Sequence, residues 1–135
     1  MLSKADQDRF DALLEAEIEA LPPGIRDLLE ECPVIVEDRP SRELLIEMGE
    51  DPDDDKVALE FCGLHTGTPY TEESLDDPAA VPPEIRLFRE GILEHAGGWG
   101  DDDAIVREEI RITLLHEIGH QFGLDEDDLD ELGYQ

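Results

Sequence analysis

The segment between Asp103 and Gly123 constrains the fold of this chain more than any other. Apolar residues recur there at helical spacing: Ile105, Ile112, Leu115 and Phe122, with Val106, Ile110 and Leu114 beside them. The acidic run 101–103 offers an N-cap and first-turn carboxylates, and Gly123 follows where the chain must leave the helix. Such a helix is stable only when its apolar side is covered, so the rest of the chain must supply a core against it.

The remaining segments are short and alternate in type. Apolar spacing predicts helices over about 10–21, 25–32 and 42–48, while residues 34–36, 57–64 and 84–89 are typical of strands. Acidic loops are expected at about 50–56 and 71–83, and another short helix near Leu129 and Leu132. The chain has 135 residues, of which 39% are hydrophobic. We therefore expect one domain over 1–135 with one modest core.

The charge of the chain limits its partners. Asp and Glu total 38 against 10 Lys and Arg, a formal net charge of −28. Phosphates would be repelled, so we expect binding neither to nucleic acid nor to an anionic membrane surface. Metal ions and basic peptides remain possible partners, because their charge is opposite to that of the chain. The N-terminus has no apolar run typical of a signal peptide, and no stretch is long enough for a membrane helix, so we expect a cytoplasmic protein.

The sequence His-Glu-Ile-Gly-His at 116–120 is the HExxH pattern, and it lies inside the predicted C-terminal helix. Residues four apart stand on one helix face about 6 Å apart, so His116 and His120 can reach one Zn²⁺. Glu117 would then lie beside the metal, where it can hold a water and take its proton. With four His and twenty Glu in the chain, chance gives about 0.02 such patterns.

A catalytic zinc site needs a third protein ligand. The extended pattern is HEIGHQFGLDE, in which a glycine turn is followed by carboxylates. Glu126 falls at the third-ligand position of this spacing, and Asp125, one residue earlier, is the alternative. Candidates for stabilising the developing oxyanion are His65, Tyr70, His95 and Tyr134. The strand EIRLFR is a candidate edge for an extended peptide.

The stretch from Val106 to Tyr134 resembles the C-terminal end of the small bacterial zincin-like metallopeptidases, also called mini-zincins. PVIVEDRPSRELLIEMG, FCGLHTGTP and EIRLFREGIL are similar to other parts of that family in the same order, so the resemblance covers about residues 25–134. It implies an α+β fold in which a small mixed sheet packs on the HExxH helix, with N-terminal helices. It also implies His116 and His120 as zinc ligands and Glu117 as the catalytic glutamate. The family's third ligand is usually Asp, where this chain has Glu126.

These observations predict a zinc-dependent metallopeptidase acting on peptide or protein substrates. The negative field would favour basic peptides, and since it opposes forming hydroxide we expect slightly alkaline conditions to suit activity. Two other readings stay open at this point. One is a zincin-like module that binds metal or peptide without turnover, and the other is an acidic protein that shields basic partners.

Overall fold

The computed structural model describes residues 2–66, 84–100, 102–125 and 127–128. Its helices are α1 (Lys4–Ala20), α2 (Pro23–Leu28), α3 (Arg42–Glu47), α4 (Asp55–Glu60), α5 (Arg89–Ala96) and α6 (Ala104–Phe122). Its strands are β1 (Val34–Glu37), β2 (Gly63–Thr66) and β3 (Glu84–Phe88). The predicted acidic loop at 71–83 and the helix expected near Leu129 and Leu132 lie outside the described residues.

Local capping explains where the predicted N-terminal helices begin. The Ser3 hydroxyl accepts a hydrogen bond from the backbone N–H of Asp6 at the start of α1. The Ser41 hydroxyl does the same for Leu44 at the start of α3. Each serine satisfies an N–H that has no partner within its helix. The bounds of these helices therefore follow from short-range sequence.

The three strands form one mixed sheet in the order β1-β3-β2. β1 runs parallel to β3, with Val34 opposite Ile85, and β2 runs antiparallel to β3, with Gly63 opposite Leu87. The prediction that EIRLFR offers a free edge is therefore wrong, because β3 is paired on both sides. Among the described residues, the sheet edges belong to β1 and β2.

The strand predicted over 57–64 is also wrong in its first half. Residues 55–60 form α4, and the strand begins only at Gly63. The Asp54 carboxylate accepts from the backbone N–H of Lys56 and caps the helix, and Ala58 is buried. A short apolar run has no reliable periodicity, so this N-cap decides the local structure.

Helix α6 is the centre of the packing. It contacts α1, α5, β2 and β3, and its buried positions join one hydrophobic cluster with residues of α1, α2, α5 and β3. Val106, Ile110, Leu114 and Ile118 are completely buried. The expected α+β fold, with a small mixed sheet packed on the HExxH helix, is confirmed.

A partly buried polar group, here called the Asp38 cluster, joins α1 to the sheet and to α5. It consists of Gln7, Asp11, Asp38 and Arg89. Arg89 donates to Asp38 at 3.0 Å and to both carboxylate oxygens of Asp11 at 2.9 Å. The Gln7 amide donates to both oxygens of Asp38, at 3.2 and 3.0 Å. The side chains of Arg89 and Asp38 are only 13% and 7% exposed.

In the part of the chain that the structure describes, no helix has both the length and the apolar character needed to cross a bilayer.

Candidate metal centre

The last two turns of α6 bring His116 and His120 together on the outer face of the helix. Both residues are exposed. Their Nε2 atoms lie 2.8 Å apart, and their rings meet edge to face with centroids 4.3 Å apart. This is the arrangement that a spacing of four residues predicts for an α-helix. Two ring nitrogens therefore converge on one point in front of the helix.

The chain turns sharply just after the second histidine. Gly123 ends α6 with φ +65°, a left-handed conformation that glycine adopts without steric cost. The N–H of Leu124 donates to the carbonyl of Gly119 at 2.8 Å, which closes the turn. The helix therefore ends at Gly123, before the predicted third ligand.

Glu117 lies on a different face of α6 from the histidines. It is 7% exposed, and its side chain is next to strand β2. A Cβ built on Gly63 of that strand would lie 3.1 Å from Cγ of Glu117. The carboxyl-bearing side chain is therefore held between the helix and the sheet, beside the histidines in sequence but sheltered from bulk water.

The donor set fits a divalent cation of the zinc type as far as the described residues reach. Imidazole nitrogens are among the commonest ligands of Zn²⁺. Two of them facing one another at 2.8 Å cannot both carry a proton toward each other, whereas a cation between them would engage both lone pairs after a small rotation. Residues 2–66, 84–100, 102–125 and 127–128 contain no group of three or more His, Cys, Asp or Glu arranged to hold a metal.

Of the two candidates for the third ligand, Glu126 and Asp125, only Asp125 is among the described residues. Glu126 lies outside the described residues. Asp125 is exposed and is already engaged with Asp128: its carboxylate accepts from the Asp128 N–H at 2.9 Å, and its own N–H donates to the Asp128 carboxylate at 3.0 Å. This reciprocal pair stabilises the turn after α6. Glu126 therefore stays the predicted third ligand.

Of the predicted oxyanion candidates, only His95 has a described side chain. Its Nδ1 lies 2.9 Å from the carbonyl oxygen of Gly91 and 3.1 Å from Sγ of Cys62. His95 is thus tied to its own helix and to the segment before β2. Tyr70, Tyr134 and the side chain of His65 lie outside the described part of the structure.

Gly63 and Cys62 lie near Glu117, and the sequence-based prediction placed neither of them among the site residues. Cys62 is a free, half-buried thiol. Burial raises its pKa from 9.0 to about 11, and the negative charges of Glu109 and Glu117 add to this effect. The signal that could have revealed both residues is the glycine in a strand, since a strand glycine often marks a close approach of backbone.

Comparison with known proteins agrees with this arrangement. The sequence profile of a protein family described as zincin-like metallopeptidase matches residues 29–134. That match spans most of the 135 residues. A search of curated proteins finds no match. The resemblance seen in the sequence motifs is confirmed.

Proposed function

The chain belongs to the zincin-like metallopeptidase family, and on that premise we propose that it is a zinc-dependent peptidase. The observation that carries the proposal is the placement of three side chains on the last turns of α6. His116 and His120 converge at 2.8 Å on the outer face, and Glu117 stands between them in sequence with its side chain sheltered against β2.

Each residue has a separate role in the proposed reaction. His116 and His120 hold the metal, and Glu126 completes the protein ligands. A bound zinc ion supplies Lewis-acid chemistry, which makes water a better nucleophile and polarises a carbonyl. Glu117 accepts a proton from the attacking water as its oxygen bonds to the scissile carbonyl carbon. It then delivers that proton to the nitrogen as the C–N bond breaks, so that an acid and an amine leave.

The substrate is proposed to be an extended peptide. Strand β2 is an edge of the described sheet and runs close to Glu117, since a Cβ built on Gly63 would lie 3.1 Å from Cγ of Glu117. An edge strand offers backbone N–H and C=O groups on which a peptide can add as a further strand. The net charge of −28 supports a preference for basic peptides, because opposite charge raises the local concentration of substrate.

Replacing Glu117 by Gln tests this function. The amide keeps the shape of the side chain but accepts no proton, so we expect kcat on a peptide library to fall by at least about 1,000-fold. Zinc content should stay unchanged, because Glu117 is not a proposed ligand. Peptide cleavage is followed by mass spectrometry at low salt, and zinc is measured by elemental analysis of the same samples.

The outcomes separate this proposal from the two other readings. Full turnover by Glu117→Gln would show that Glu117 is not the base. Stoichiometric zinc without cleavage of any peptide by the unmodified protein would support a non-catalytic binding module. No zinc, together with salt-sensitive binding of basic proteins, would support the acidic interaction protein.

A further inference from the structure

We propose that Gly63 is a positioning residue that fixes the side chain of Glu117. This inference rests on the proposed function only in that Glu117 is taken there as the general base. The contact itself is a property of the fold. It places the backbone of a strand close to the side chain of Glu117, the buried glutamate of the HExxH motif.

The space at Gly63 is closed by side chains of α6. A Cβ built at this position would lie 2.8 Å from the Cγ2 methyl of Thr113 and 3.1 Å from Cγ of Glu117. It would also lie 3.3 Å from the backbone oxygen of Arg86 in β3. Gly63 is not among the glycines with positive φ. The lack of room, and not the backbone conformation, is therefore what requires glycine here.

The register of the sheet brings this glycine to Glu117. Gly63 is opposite Leu87, and the N–H of Phe88 donates to the carbonyl of Cys62 at 2.8 Å. A slip of one residue would put Cys62 or Leu64 against the helix instead. Either side chain would enter space that Thr113 and Glu117 fill. The contact and the register thus support each other.

The segment before β2 also packs closely on a second helix, α5. A Cβ built on Gly91 of α5 would lie 1.9 Å from the carbonyl oxygen of Phe61. The contact of 3.1 Å between Cys62 Sγ and His95 Nδ1 adds a second tie to α5. Residues 61–63 are therefore held between two helices. A side chain at position 63 must displace the side chains of α6.

This packing restricts the rotamers of Glu117. A free glutamate has several rotamers of similar energy, and a general base works only from the one that reaches the water. A Cβ built on Gly63 would lie 3.1 Å from Cγ of Glu117, so the strand backbone runs close to this side chain and limits rotation about its first side-chain bonds before substrate arrives. Thr113, one turn earlier on α6, lines the same space, since its Cγ2 would lie 2.8 Å from that Cβ.

The test uses Gly63→Ala, Thr113→Ser and the double variant in the zinc-loaded full chain. Three-bond NMR couplings between Glu117 Cγ and its own backbone N and C′ report the rotamer directly and need no enzymatic activity. We expect couplings of a single rotamer in the unmodified protein and in Thr113→Ser. We expect averaged or shifted couplings in Gly63→Ala, with zinc retained.

The double variant separates positioning from packing. Thr113→Ser removes the methyl that the new Cβ meets first, so thermal stability lost in Gly63→Ala should largely return. The Cβ still meets Cγ of Glu117, so the altered couplings should persist. We expect kcat to stay at least about tenfold below that of the unmodified protein, with KM changed by less than about twofold.

Unchanged Glu117 couplings in both alanine-containing variants would overturn the proposal. So would recovery of couplings and kcat together with stability in the double variant, since Gly63 would then serve packing alone. Altered couplings in a protein whose unmodified form cleaves no peptide would support positioning by Gly63 and would contradict the proposed function instead.

Discussion

Two polar groups in this molecule, the Asp38 cluster and the pair His116–His120, differ in how their members complement one another. In the Asp38 cluster one guanidinium meets two carboxylates, and an amide donates to one of them. In the histidine pair, two identical ring nitrogens face each other at 2.8 Å. The first group surrounds a buried carboxylate, Asp38, and links α1 to the end of β1 and to α5, whereas the second is exposed at the end of one helix.

A structural polar group differs from a ligand-binding one in whether the protein itself supplies the partners of its charged atoms. Buried charges persist in a fold when the protein itself supplies their partners. In the Asp38 cluster the charged groups are paired with one another. These hydrogen bonds therefore stabilise the packing of α1 on the sheet and on α5. In the proposed function the two converging imidazoles serve instead as ligands of a divalent cation.

Removing both histidines should have the largest effect of these changes. We expect it to lower the amount of bound zinc and to leave the stability of the metal-free protein nearly unchanged. We expect His116→Ala/His120→Ala to lower bound zinc from about one per chain to less than about 0.1. Because both side chains are exposed, the free energy of unfolding of the metal-free protein should change by less than about 1 kcal/mol. Elemental analysis of protein purified without a histidine tag, and urea unfolding, measure the two quantities.

His95→Ala is the matched control for this experiment. It removes an imidazole that is tied to Gly91 and Cys62 and not to the histidine pair, so zinc should remain. If the double variant kept stoichiometric zinc, His116 and His120 would not be the metal ligands, and the contrast drawn with the Asp38 cluster would be wrong.

Asp38→Ala should have the opposite profile, with a loss of stability and no loss of metal. It removes a buried partner of Arg89 and of Gln7, while Asp11 still pairs with Arg89. We expect the free energy of unfolding to fall by about 2–3 kcal/mol in urea unfolding of the metal-free protein. Asp8→Ala breaks only the exposed pair with Lys4 and should change nothing measurable. Equal losses in the two variants would contradict a special role for burial.

The thiol of Cys62 gives a further comparison between buried and exposed groups, and the expected effect is the smallest of those predicted here. Burial raises its pKa from 9.0 to about 11, so at pH 8 the thiolate fraction is about 100-fold lower than for a thiol of pKa 9.0. We expect iodoacetamide to modify Cys62 slowly at pH 8 and faster with each pH unit up to about 11. Peptide mass spectrometry follows the rate.

The raised pKa of Cys62 also makes the free energy of unfolding depend on pH. The folded chain keeps the Cys62 proton to higher pH than the unfolded chain does, so this contribution is fully present below about pH 9 and is lost as pH rises toward about 11. Rapid alkylation at pH 8 would show instead that Cys62 behaves as an open, reactive thiol.

Much of the fold follows from local sequence. The apolar spacing of α1, α3 and α6 predicts those helices, Ser41 predicts where α3 begins, and β1 and β3 follow from short β-branched or alternating runs. Helix α1 begins at Lys4, earlier than the expected start near residue 10, because Ser3 caps it. These features act within a few residues, so reading them needs no knowledge of the tertiary contacts. The membership in the zincin-like family likewise came from motifs that are local in sequence.

The sequence alone failed where the outcome depends on distant partners. β3 became the central strand because β1 and β2 both pair with it. The helix over 55–60 is a different case, because the N-cap that was overlooked, Asp54, is local. No periodicity within EIRLFR distinguishes a central strand from an edge strand, since strand order depends on contacts across the whole chain.

The convergence of His116 and His120 follows from local sequence, because the α-helix sets the distance between residues four apart. The burial of Glu117 beside β2, its closeness to Gly63 and the raised pKa of Cys62 come from tertiary packing. Those features depend on how a strand and a helix far apart in sequence approach each other, and that approach is set by the packing of the core between them.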